Sequence, residues 1–136
     1  RRKYAPADAV LRQFIPHHGD KTMAESRAAA VWALGLIHEG KAVAELATAF
    51  EERLNDTHSV PPEDEAVRRM CAIAIGRMGA KGPLPSLRTY YTDQAANGGA
   101  VHDACGWAVQ QLTGEVMAPP KAIEGGQIDW FLTPDR

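Results

Sequence analysis

The chain has 136 residues, the length of one domain, and its hydrophobic content of 45% contains no apolar run long enough to span a membrane. A formal charge of −2, from 15 basic and 17 acidic residues, disfavours nucleic acid as a partner, because such binders show a dominant basic face. The first residues, Arg1-Arg2-Lys3, carry neither a methionine nor a secretory apolar segment, so the sequence reads as a processed or excised piece of something longer.

Taken in chain order, six helices are expected, of two alternating kinds. A short B helix over 8–15 contains Leu11, Phe14 and Ile15. An A helix over 24–38 contains "SRAAAVWALGLI", in which Ala30, Ala33, Leu34 and Ile37 fall at i, i+3, i+4 and i+7 and so line one helical face. A second B helix, 42–54, places Leu46 and Phe50 as the first places Leu11 and Ile15. The second A helix, 63–78, repeats the first at a 41-residue offset (27 to 68): Cys71, Ala74, Ile75 and Met78 take the same four places. A third B helix follows over 84–92, with Leu87, Tyr90 and Tyr91. A third A helix over 100–113 repeats the pattern again 34 residues on (68 to 102), through Cys105, Ala108, Val109 and Leu112.

Punctuation agrees with this division. Gly40 and the stretch from Gly79 to Gly82 follow the first two A helices, as residues able to take positive φ at a helix end. "SVPPEDE" from Ser59 to Glu65 gives a proline-stiffened entry with acids at a helix N-terminus, where they complement the dipole. Cys71 and Cys105 share one column; packed helix axes lie ~8–10 Å apart and a disulfide needs Cα atoms within ~7 Å, so two free buried thiols are expected.

Helix pairs at this period imply a solenoid in which neighbouring pairs complete one another's core. The block Arg27…Ala30…Ala33-Leu34-Gly35, repeated as Arg68…Ala74-Ile75-Gly76, resembles the HEAT repeat in the short variety found in phycobilin lyases and many bacterial proteins. The third copy departs from it, with His102 for the arginine and Gln110 for the glycine. The resemblance, over about residues 8 to 114, implies an all-α fold: an α-solenoid, a right-handed superhelix of antiparallel helix pairs, over 1–118, followed by an irregular C-terminal tail over 119–136. That tail ends in Trp130-Phe131-Leu132 and is expected to pack back as a cap.

The polar residues form no catalytic pattern. His17-His18 with Asp20 lacks a third ligand at zinc spacing and reads as a surface loop. Deoxyhypusine hydroxylase is a HEAT-repeat metalloenzyme with His-Glu dipeptides near its repeat-helix starts; here His38-Glu39 lies at a helix end and only His102-Asp103 is in register, with Arg27-Ala28 and Arg68-Arg69 in the other two places. No phosphate loop, nucleophile elbow or Cys-x-x-Cys is present. Neither catalytic residues, nor a metal, nor a cofactor is therefore expected. The basic residues Arg68, Arg69, Arg77, Lys81 and Arg88 read as a solvated face.

One column stands apart. Trp32, Ile73 and Trp107 lie about 200° around the helix from the Ala30 column, away from the core stripe, and Ala29, Met70 and Ala104 widen the apolar band. In similar HEAT repeats this column is commonly polar. Either the rings wedge between adjacent A helices, or the band is covered by the tail, by upstream sequence or by a protein partner, since soluble monomers seldom expose large apolar patches. Trp32, Met70, Ile73, Trp107, Trp130 and Phe131 are thus the candidate binding residues of a non-enzymatic protein-interaction or scaffold module. The resemblance also leaves open a subunit of a bilin-lyase-like enzyme, and more remotely a nucleic-acid-binding solenoid. A cytoplasmic location is expected, or a periplasmic one after removal of an upstream signal.

Overall fold

The computed structural model describes residues 5–17, 24–93 and 99–117. Among them are six helices and no strand: α1 (Ala5–Arg12), α2 (Ala24–Ile37), α3 (Ala44–Asn55), α4 (Glu65–Met78), α5 (Leu84–Asp93) and α6 (Ala100–Thr113). Trp130, Phe131 and the expected cap lie outside the described residues.

Helices α2, α4 and α6 stack side by side in one layer. In the second layer each helix lies against the one that follows it, α1 on α2, α3 on α4 and α5 on α6, while α3 and α5 meet only sparsely. This is an all-α solenoid of stacked helix pairs, and its core runs between the layers and between successive A helices. No described helix is long and apolar enough to cross a membrane.

The A layer is tight because its contact residues are small. A Cβ placed on Gly35 would stand 3.0 Å from Cα and Cβ of Ala74; on Gly76 it would stand 2.9 Å from Cζ3 of Trp107 and 3.0 Å from Cα of Ala108. The helices therefore meet glycine against alanine, at a separation no larger side chain permits. Helix α4, with a neighbour on each side and α3 beneath, is buried almost throughout.

The helix ends fall within two residues of expectation except in α1, which begins at Ala5 rather than at 8 and also ends early. Helix α1 ends at Arg12, three residues short of 15, and is continued by tight turns in which the N–H groups of Gln13, Phe14 and Ile15 each donate to the carbonyl three residues back. Pro6 is accommodated in its first turn, where no intrahelical N–H bond is lost. Helix α4 begins at Glu65 because Asp64 is its N-cap, accepting from the N–H of Ala66, so Glu63 stands outside the helix. At its other end Gly79 takes φ 74°, the left-handed cap that closes the last turn.

Candidate functional site

Because the repeat columns are equivalent, the exposure of one A helix can be judged against the others. Met70 and Ala104 are 0% and 4% exposed, yet Ala29 in the same column is exposed. Ala74 and Ala108 are both 0% exposed, yet Ala33 is only partly covered. The difference has one cause: α4 is preceded in the layer by α2, and α6 by α4, whereas no described A helix precedes α2. Ala29, Trp32 and Ala33 form the end face of the stack. Trp32 is half-buried, with part of its ring packed on the core.

The other aromatic-column residues are not a surface. Ile73, of the Trp32 column, is 1% exposed and Met70, of the flanking Ala29 column, 0%; both belong to the core, so the band does not point away from it there, and of the two alternatives the burial favours packing between adjacent A helices. The expectation counted the core as one stripe per helix; a helix stacked on both sides buries its flanks as well. Trp107 is half-buried, wedged over α4 at Gly76 with the Arg77 guanidinium 5.9 Å from its ring centroid.

The residue that opens each A block has a structural task. Arg27 donates from Nε to the Phe14 carbonyl (3.0 Å) and from Nη2 to the Ile15 carbonyl (2.8 Å), tying the turn after α1 to α2. Arg68 does the same for α3 through Leu54 O at 2.8 Å and lies 4.8 Å over the Tyr90 ring. His102, in their place in the third copy, stacks on Tyr91 with centroids 4.5 Å apart. The basic residues do not gather into a face: Arg68 is buried, Arg77 lies over Trp107 and Arg88 pairs with Glu115.

A polar cluster occupies the loop end of α2 and α3. Arg27 reaches Glu63 with both terminal nitrogens, and Arg53 Nη1 bonds both Asp56 and Glu63 at 3.2 Å. His17 Nδ1 stands 3.4 Å from Asp56. Burial alone would raise the Glu63 carboxyl, but the bonds from Arg27 and from the Asp64 N–H outweigh it and hold it below its ordinary value. Asp56 is lowered chiefly by hydrogen bonding to Ser59.

Ligand atoms of His17, Asp56 and Glu63 lie within 4.8 Å of one another, a spacing a metal could use. Two guanidinium groups already occupy these carboxylates, however, and a cation there would face both positive charges with the loss of their bonds. The cluster reads as an internal salt-bridge network. Sequence reading missed it because Glu63 lies 36 residues from Arg27.

Beside the cluster, a groove of about 540 Å³ runs between α1 and α3, floored by Ile15, Leu46 and Ala49 and rimmed by Arg12, Glu45, Glu52 and Arg53. His38 bonds Asp8 across α1 and α2, and His102 bonds its neighbour Asp103, so these two histidines do not converge with His17. Cys71 and Cys105 are free and buried. Burial pushes the Cys71 thiol well above its ordinary value and Cys105 up to about 12.

Compared with known families, residues 26–52, from α2 through most of α3, match the PBS lyase HEAT-like repeat. That helix pair is therefore of the HEAT-like kind, and the stacked pairs around it are consistent with a repeat protein resembling the HEAT-like repeats of phycobilin lyases. No curated protein and no solved structure matches the chain.

Proposed function

We propose that this HEAT-like repeat chain is a protein-interaction module without chemistry of its own, and that it engages its partner through the α2 end of the helix stack. A single observation carries the reading: Ala29 is exposed and Ala33 only partly covered where their equivalents in the next two repeats are sealed inside. The repeat is built to have this face covered. A tryptophan flanked by small residues also supplies the rigid apolar anchor that interface hot spots favour.

The test is affinity capture from extract with the intact chain and with Ala33→Glu, followed by mass spectrometry. A partner retained by the wild type and by a groove variant such as Glu52→Ala, and lost from Ala33→Glu at unchanged melting temperature, supports the proposal. Capture that ignores Ala33→Glu removes it.

A second reading, a subunit of a bilin-lyase-like enzyme, draws on the repeat match and on the α1/α3 groove, whose size is that of a small-molecule pocket. Titration with a linear tetrapyrrole, followed by absorbance, tests it: a saturable spectral change abolished by Leu46→Arg would favour the enzyme subunit.

A further inference from the structure

The stacked helices have a direction. Helix α4 seats Ala74 on α2, and α6 seats Ala108 and Trp107 on α4; Ala33 and Trp32 hold the same columns in α2, and the column facing a successor is Gly35/Gly76/Gln110. Ala74 sits against Gly35, and Ala108 with Trp107 sits against Gly76. The end face of α2 copies one of these seated faces residue for residue: Ala29, Trp32 and Ala33 repeat Ala104, Trp107 and Ala108. In α6 two of that trio, Trp107 and Ala108, rest on Gly76 of α4, and the guanidinium of the next residue, Arg77, lies over the tryptophan.

Resting on the interaction-module reading, we infer that the partner is another polypeptide presenting an α4-like helix, with a glycine to receive Trp32 and Ala33 and a basic residue next to it to lie over the indole ring. The α2 face thus continues an interface already built twice inside the molecule. A second copy of this chain does not provide the receptor. Its Gly76 is covered by its own α6, and its α6 carries Gln110, exposed, where Gly35 and Gly76 leave room for a neighbour. A side chain at that position fills the space in which Trp107 and Ala108 sit on α4. Among the described residues the stack offers a seat at α2 and not at α6, so the module adds to one end of a partner.

The probe is a helix-stapled peptide of residues 65–79, the α4 sequence, titrated into the intact chain and followed by NMR. The expected result is saturable binding that shifts the Trp32 indole N–H and the Ala29 and Ala33 methyls. Gly76→Leu in the peptide, or Ala33→Glu in the chain, should weaken it by at least about tenfold, and Arg77→Ala in the peptide by a few-fold. Absence of binding, indifference to Gly76→Leu, or shifts confined to Trp107 and Ala108 would overturn the inference. So would a concentration-dependent dimer broken by Ala33→Glu, or α2-face shifts produced only once residues 118–136 are deleted. Capture from extract that depends on Ala33 while the peptide fails to bind would leave the module reading standing and reject this class of partner.

Discussion

Arg27 holds Glu63 by two parallel bonds, Nη1 to Oε1 at 2.6 Å and Nη2 to Oε2 at 2.7 Å, with side chains only 3% and 0% exposed. The pair joins α2 to the loop entering α4, so one helix pair is locked to the next by charge as well as by packing. Such a fork is worth less than its Coulomb energy suggests, because both groups were desolvated to make it; breaking one side alone is what costs. Glu63→Ala should lower stability by ~3–5 kcal/mol in urea melts, by stranding Arg27 and removing one of Arg53's two acceptors. A loss under about 1 kcal/mol would mean water replaces the carboxylate.

The same pair sets an acid limit. Glu63 is held below its ordinary value in the fold, so between the folded and unfolded values the unfolded chain binds more protons and stability rises with pH. The contribution is complete above the unfolded value of ~4.3 and is lost as pH falls through the depressed folded one. Asp8 and Asp56, also lowered, act with the same sign. Denaturant midpoints should be level from neutral pH to about 5 and then fall, and Glu63→Gln should make that fall shallower. An unchanged slope in the variant would assign acid sensitivity elsewhere.

Glycine at the helix contacts is a steric requirement that can be measured. Gly76→Ala puts a methyl 2.9 Å from the Trp107 ring and 3.0 Å from the Ala108 backbone, and should cost ~1–3 kcal/mol by forcing α6 outward. Gly82→Ala, where nothing lies within 4 Å, is the control and should be neutral or slightly stabilising. Ile75→Ala, by contrast, empties a fully buried site and should cost ~2–5 kcal/mol. Equal midpoints for Gly76→Ala and Gly82→Ala would show that the A layer yields freely.

Both thiols should be inert in the folded protein. Cys71 and Cys105 are 0% exposed and their thiols are raised by burial, so the reactive thiolate is both scarce and inaccessible. An aromatic disulfide reagent at neutral pH should label neither within minutes and both in denaturant. Prompt labelling of one thiol would reveal local opening of the helix that carries it.

The sequence by itself determined the repeat. The apolar spacing at i, i+3, i+4 and i+7, written three times, fixed the alternating helices, most of their ends to within two residues, and the equivalence of positions between repeats. Those are properties of a single helix and its immediate punctuation, and they are local. What only the tertiary structure decided is which neighbours each column meets. Ile73 and Trp32 occupy one column, yet Ile73 is sealed in the core while Trp32 stands at the end of the layer; nothing in either residue's local sequence differs enough to say so. Glu63 reads locally as a helix-dipole acid and becomes instead the partner of an arginine 36 residues away. Helix α1 stops early where Arg27, likewise distant in the chain, holds the carbonyls of the turn that follows it. In each case the deciding term is a contact between separate helix pairs, and helical periodicity carries no information about which pair comes next in space or whether one comes at all.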